Sequence, residues 1–194
     1  MIPKPWLMLV AVILTIMGCA ASTARPQYGS TTSPLALATR ALQLPHIAAG
    51  GSCPQAKVSR PSPYSGTGLG QGPVYAVGGQ DLRADAGGLT KVLWAADPKY
   101  AGPVRIRGGQ LDGTHEMLFN VSDGNTWTGP PVQTLTTRDG EFELYTELDF
   151  QAAGTRTGTP WRYWPSYSHV DAPGCYAWQV DGDSFTEIIT ISVS

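Results

Sequence analysis

The clearest alternation of apolar and polar residues lies near the end of the chain. Apolar side chains recur at every second position on both sides of Asp181-Gly182, in the runs YAWQV and FTEIITISV. Two residues break the pattern, since Glu187 falls on the apolar face and Ile188 on the polar one. Asp-Gly between two such runs predicts a β-hairpin, because a type I′ turn needs residues that accept positive φ. A loop of two or four residues would place both apolar sets on one face and Cys175 on the other. We expect the segment around Cys53 to cover that second face.

Weaker period-two patterns recur earlier in the chain. The run EFELYTELDF at 141–150 predicts one strand whose acidic side chains form a solvated face. At 104–107, valine and isoleucine alternate with two arginines, which predicts another strand with one solvated face. Further strand candidates lie at 73–77, 89–96, 117–121 and 132–137. Roughly seven to nine short strands without helical periodicity predict an immunoglobulin-like antiparallel β-sandwich, with a jelly roll as the alternative.

Composition agrees with an all-β protein and excludes one class of partner. The 194 residues include 23 glycines and 16 prolines, only 14% are charged, and the formal net charge is −2. Abundant turn residues and sparse charge are typical of many short strands joined by turns. The chain has no basic patch, so we expect no nucleic-acid partner.

The first residues have the pattern of an export signal. An apolar run at 6–18 follows Lys4 and is too short to span a membrane comfortably. It ends in Ile16-Met17-Gly18-Cys19, which resembles the lipobox of bacterial lipoproteins. This resemblance implies a leader over 1–18, cleavage before Cys19 and a diacylglycerol on the Cys19 sulfur, which would anchor the protein to a membrane. The alternative is a secretory signal cleaved after Ala24, which would release the protein.

Downstream of the leader the composition changes once more. Residues 19–45 are rich in Ala, Ser, Thr and Pro and predict a flexible tether, and 46–194 form a single domain. If Cys19 carries the lipid, Cys53 and Cys175 remain as a disulfide pair in an oxidising compartment. The alternative is a pair of buried free thiols.

The C-terminal half carries a second resemblance. Pro-Ser-Tyr at 165–167, PGCYAWQVDG at 173–182 and Ser-Phe at 184–185 resemble an uncharacterised group of bacterial secreted proteins and lipoproteins. Leu-Pro…Cys-Pro at 44–54 and Gln-Leu-Asp-Gly at 110–113 belong to the same likeness, which covers about residues 44–194. This likeness implies export and one compact domain. The group has no assigned activity, so the likeness suggests nothing catalytic. The likeness to immunoglobulin domains is looser, because the positions of cysteine and tryptophan differ.

No catalytic or metal-binding pattern stands out in the chain. His115 and His169 lack the spacing of a zinc site, and Ser52 lacks the glycine pattern of a nucleophile elbow. The acidic residues of 141–149 and of Asp181-Gly182-Asp183 are explained by a solvated strand and a turn. We therefore expect no enzyme, no cofactor and no metal, and we keep a Ser/His/Asp hydrolase as a distant alternative.

The best functional lead is an aromatic cluster. Trp161, Tyr163, Trp164 and Tyr167 lie within seven residues of sequence, and aromatic rings of this kind either fill cores or stack on ligands such as sugars. The leading hypothesis is a non-catalytic binding or structural module of the bacterial cell envelope, with an envelope protein or a glycan as partner. A glycan-binding module that uses these four rings is the alternative.

Overall fold

The computed structural model describes residues 37, 40–62, 65–84, 88–121, 126–127, 129–151 and 158–194. The predicted leader, Cys19 and both predicted cleavage sites lie outside these residues. Within the described residues, no helix is long and apolar enough to cross a membrane.

Thirteen strands form within the described part of the chain, and every pairing between them is antiparallel. The strands are β1 (Val58–Ser59), β2 (Gly68–Leu69), β3 (Val74–Val77), β4 (Thr90–Ala96), β5 (Val104–Gln110), β6 (Leu118–Val121), β7 (Thr126–Trp127), β8 (Gln133–Thr137), β9 (Gly140–Leu144), β10 (Glu147–Phe150), β11 (Arg162–His169), β12 (Gly174–Gly182) and β13 (Thr186–Val193). Sheet A has the order β1-β2-β3-β4-β11-β6, and sheet B has the order β13-β12-β5-β10-β7. Strands β8 and β9 form a separate ribbon.

The two sheets pack face to face around three buried tryptophans. The rings of Trp94 (β4) and Trp178 (β12) meet edge to face with centroids 5.9 Å apart. The Trp164 ring (β11) stacks on Phe150 (β10) with centroids 5.1 Å apart. Since each pair joins sheet A to sheet B, these contacts span the core, and the predicted all-β sandwich is confirmed. The finer immunoglobulin-like assignment stays a prediction.

The closing hairpin has the predicted faces but a different turn. Tyr176 lies opposite Ile191 and Trp178 opposite Ile189, so the apolar sets share the core face as expected. The predicted type I′ turn at Asp181-Gly182 is wrong. Both residues belong to β12. The last paired positions are Asp181 and Thr186, so four residues, 182–185, lie between them, a number that the parity of the faces also allows. Asp181 is fully buried, and its carboxylate is satisfied there by hydrogen bonds from neighbouring side chains.

The predicted single strand at 141–150 is two strands in two different layers. The chain leaves the ribbon after Leu144 and enters sheet B at Glu147. The acidic face is solvated only in part, because Asp149 accepts two hydrogen bonds from Arg105, each 2.7 Å long. Arg105 is itself buried, so the predicted solvated face of β5 is also wrong. A guanidinium and a carboxylate that satisfy each other can be buried where either one alone cannot.

The segment before residue 54 lies across the outer face of sheet B. The main chain of this segment bonds to the Gln179 side chain, since the Gln43 N–H donates to Oε1 over 2.7 Å and the Ala41 carbonyl accepts from Nε2 over 2.9 Å. Leu37 is buried, and its carbonyl accepts a hydrogen bond from Arg105. The folded unit therefore begins before the predicted boundary at residue 46, and the part of the predicted tether beyond residue 40 is packed on the sheet. The rest of that tether lies outside the described residues, apart from Leu37.

The predicted disulfide between Cys53 and Cys175 is present, with the two Cα atoms 5.3 Å apart. A small apolar cluster surrounds it on the outer face of sheet B, where Leu44 and Ile47 pack against Leu111 and Ala177. This confirms that the segment around Cys53 covers the face on which Cys175 lies.

Candidate functional site

Strand β11 separates the predicted aromatic cluster into two groups. Successive side chains of a strand point to opposite faces, so Trp164 faces the core, whereas Tyr163 and Tyr167 face outward from sheet A. Trp161 lies directly before the strand and is half-buried. The four rings therefore do not form one surface.

Trp164 belongs to the core and not to a binding platform. Its side chain is 2% exposed and lies between the Phe150 ring and the Arg162 guanidinium, which is 4.9 Å from the Trp164 ring centroid. Arg162 donates hydrogen bonds to the carbonyls of Tyr100 and Gly102. Arg162 is held in place, so Trp164 cannot turn outward without dismantling this stack. The hypothesis that Trp164 contacts a ligand is therefore wrong.

The remaining rings lie on the outer face of sheet A, where the structure adds a tyrosine that the sequence analysis missed. Tyr75 projects outward from β3, and its ring lies 6.2 Å from that of Trp161 at an interplanar angle of 48°. Both rings are half-buried. We define the outer aromatic patch as Tyr75, Trp161, Tyr163 and Tyr167. The alternation of Val74 and Ala76 with Tyr75 in β3 was the signal that could have identified this residue.

Members of the outer aromatic patch differ in what they can offer a ligand. Tyr163 is only 9% exposed, and its hydroxyl is 2.8 Å from Ser62 Oγ, so it supports the patch more than it contacts solvent. Burial, followed by the negative charges of Asp97 and Glu187, raises the pKa of Tyr75. Tyr75 therefore stays neutral at physiological pH and offers a ring face and a hydroxyl. Such groups can stack on a sugar ring or an apolar side chain and bond to a hydroxyl.

The most heavily bonded carboxylate of the described residues is Asp181, on the outer face of sheet B. It accepts hydrogen bonds from Thr186 at 2.7 Å, from Gln179 at 2.8 Å and from Arg107 at 2.8 Å. Burial alone raises the pKa of Asp181, but these hydrogen bonds outweigh burial and hold the pKa below its ordinary value. Arg40 lies 3.5 Å from the same carboxylate and donates to the carbonyls of Gly182 and Phe185. The cluster thus fastens the N-terminal segment to the hairpin.

The histidines do not assemble a hydrolase site among the described residues. His115 Nδ1 lies 2.9 Å from Asp171 Oδ1 in an exposed pair, and His169 Nδ1 lies 3.0 Å from the carbonyl of Gly88. Within the described part of the chain, neither ring is hydrogen-bonded to a serine hydroxyl. The same residues contain no group of three or more His, Cys, Asp or Glu side chains that could hold a metal ion.

Comparison of the chain with protein-family models, with curated proteins and with solved structures found no match in any of the three.

Proposed function

We propose that the chain is an exported lipoprotein, anchored to a bacterial membrane through Cys19, whose β-sandwich is a non-catalytic module of the cell envelope. The observation that carries this proposal is the disulfide between Cys53 and Cys175. Structural disulfides persist in oxidising compartments outside the cytoplasm. They also account for two of the three cysteines, which leaves Cys19 at the end of the apolar leader run as the single remaining thiol. The lipobox-like sequence there supports lipidation.

The N-terminal segment limits how far the module would stand from such a membrane. Its described part is fastened to sheet B from Leu37 onward. About 18 residues would then separate the lipid from the folded unit, and fully extended they reach at most roughly 60 Å. The proposed tether is thus shorter than the sequence pattern alone predicted.

Membrane fractionation followed by mass spectrometry tests the anchor. In cells that express the full chain, we expect the protein in the membrane fraction and a diacylglyceryl mass on an N-terminal Cys19 peptide. Cys19→Ala should release the protein or leave its leader uncleaved. The matched control, Cys53→Ala with Cys175→Ala, should remain lipidated because it removes the disulfide but keeps the Cys19 sulfur that accepts the lipid. An unmodified N-terminus at Arg25 would refute the anchor.

A glycan is the second candidate ligand, and the paired rings of Tyr75 and Trp161 favour it. Two half-buried rings on an open sheet face provide a surface on which a sugar can stack. The double variant Tyr75→Ala with Trp161→Ala should lose retention on insoluble peptidoglycan or cellulose while it stays folded, with a cooperative unfolding transition at a lower midpoint. Leu42→Ala removes a 45% exposed side chain next to sheet B and serves as the control. Equal retention of all three proteins would remove the patch from consideration.

A further inference from the structure

The separate β8–β9 ribbon is joined to β6 of sheet A by one β-bridge, between Phe119 and Tyr145, and so continues the sheet beyond β6. The N–H of Phe119 in β6 donates to the Tyr145 carbonyl, and the N–H of Tyr145 donates to the Phe119 carbonyl, each over 2.8 Å. Tyr145 directly follows β9, and the Asn120 side chain bonds to the Glu143 carbonyl. Of the described strands, β8 is therefore the outermost on this side of sheet A.

The hydrogen-bonding direction of each β8 residue follows from these contacts. The N–H and C=O of one residue in an antiparallel strand point to the same side, and successive residues alternate. Because Tyr145 and Glu143 direct their carbonyls toward β6, Leu144 and Phe142 face β8, where they are paired with Gln133 and Leu135. The backbone groups of Thr134 and Thr136 must then point outward. No described residue bonds to these four groups.

Within Gln133–Thr137, the described residues supply none of the usual protection of an exposed edge. Such edges are normally blunted by lysine or proline within the strand, by a bulge or by a covering segment. The sequence of β8 is QTLTT, and its register with β9 is unbroken over Gln133–Thr137. The irregularity lies just before the strand, where the Val132 N–H donates to the Leu144 carbonyl over 2.8 Å. Thr134 and Thr136 are exposed, and Val132, just before the strand, is 55% exposed. No described residue covers this edge, so in the described part of the chain it is free to pair with another strand.

Acidic side chains line one face of this edge. Thr134 is paired with Glu143 and Thr136 with Glu141, so both exposed carboxylates lie on the same face as the two threonines. The carboxylates border a shallow pocket of about 490 Å³ that Asn120 and Tyr145 also line. The Tyr145 hydroxyl donates a hydrogen bond to Glu143 Oε2 over 2.7 Å. Thr134, Glu141 and Glu143 all line this pocket, so a side chain that passes over Thr134 would meet the two carboxylates.

We infer that β8 is a docking edge for an extended basic segment of a partner protein, which adds to the ribbon as an antiparallel strand. Residues opposite Thr134 and Thr136 would exchange backbone hydrogen bonds with them and would project onto the acidic face. Strands are spaced about 4.8 Å apart, so a lysine or arginine there lies two strands from the carboxylates, within the combined reach of the side chains. A second copy of this chain fits less well, because antiparallel pairing of two β8 strands would bring two acidic faces together. This inference does not depend on the lipid anchor.

A labelled peptide of sequence Val-Lys-Val-Lys-Val-Lys-Val tests the inference by fluorescence anisotropy with the full chain in detergent micelles. The lysines lie opposite the threonines and direct their N–H groups toward β8, whereas the valine N–H groups point away. N-methylation of the lysine amides should therefore abolish binding, and N-methylation of the valine amides should leave it intact. The same peptide with glutamate in place of lysine should not bind.

Variants of the chain test the contribution of the acidic side chains separately from that of the backbone hydrogen bonds. Glu141→Lys should weaken binding of the lysine peptide by about tenfold or more, because it places a like charge beside the docked cation. Asp81→Lys makes the same change of net charge at an exposed position and should change affinity by less than about twofold. Absence of binding, an equal effect of both N-methylated peptides, or equal binding of the glutamate peptide would overturn the inference. So would a chain dimer that the peptide fails to displace, since that would assign the edge to a second copy.

Discussion

The hydrogen bond between Trp94 and Ser166 offers a direct test of how the core tolerates polar groups. The indole Nε1 of Trp94 donates to Ser166 Oγ over 3.0 Å, and both side chains are 0% exposed. The hydroxyl in turn lies 3.5 Å from the Val92 carbonyl. Ser166→Ala removes the acceptor and leaves an indole N–H in a dry core between the sheets.

The expected loss follows from the burial of that donor. An unsatisfied polar group in a protein interior costs about 1–3 kcal/mol of unfolding free energy, and water cannot replace the partner where both atoms are inaccessible. Ser166→Ala should therefore destabilise the chain by about 1–3 kcal/mol. Ser192→Ala is the control, because Ser192 is an exposed serine of β13 and should change stability by at most about 0.5 kcal/mol.

A double-mutant cycle measured by urea unfolding separates the hydrogen bond from the lost volume. Trp94→Phe removes the N–H and leaves a cavity, so only the difference between backgrounds is informative. In the Trp94→Phe background, Ser166→Ala should cost at least about 0.5 kcal/mol less than in the native chain. An equal cost in both backgrounds would refute the reasoning. The pair Trp178 and Ser168, whose Nε1 and Oγ are 3.2 Å apart, gives an independent repetition.

Three further predictions concern the Cys53–Cys175 disulfide and the carboxylates of Asp181 and Glu187. Cys53→Ala with Cys175→Ala opens a loop spanning 122 residues and should lower the unfolding free energy by up to about 5 kcal/mol in urea titrations; a loss below about 1 kcal/mol would contradict the chain-entropy account. The pKa of Asp181 is lowered in the fold, so its stabilising contribution is present above about pH 4 and is lost as the pH falls through the folded pKa. Asp181→Asn should therefore be less stable at pH 7 and show weaker acid destabilisation, and an unchanged pH profile of stability would contradict this. Burial raises the pKa of Glu187, although backbone N–H groups of the β2–β3 turn oppose the shift, so the charged form opposes folding as the pH rises. Glu187→Gln should stabilise the chain at pH 7 but not below about pH 4, and equal gains at both pH values would contradict this.

Features set by local alternation could be predicted from the sequence. The parity of the closing hairpin depends only on which positions are apolar and on loop length, so Tyr176 and Trp178 were correctly placed on the core face. The same parity placed Cys175 on the opposite face. With export assumed, Cys53 was then its available partner, and the disulfide is present.

Features that depend on distant partners could not be predicted in this way. Asp181 has the sequence context of a turn. However, Arg107 of the adjacent strand β5 and Gln179, two residues earlier in β12, donate hydrogen bonds to its carboxylate, so Asp181 stays in β12 and is buried. Asp149 is half-buried for the same reason, through Arg105. Alternation cannot distinguish a solvated polar face from one covered by a complementary charged segment. The patch residue Tyr75 was missed because β3 is too short for its alternation to stand out.

The N-terminal segment that covers polar side chains of sheet B also makes the outer faces of the two sheets different. The outer face of sheet B carries the N-terminal segment, fastened through Gln179 and Arg105, and so is occupied by the chain itself. The outer face of sheet A carries the outer aromatic patch, and no described residue covers the ribbon edge at Thr134 and Thr136. Among the described residues, the outer face of sheet A and the β8 edge are therefore the surfaces left for a partner, whereas the outer face of sheet B is already in use.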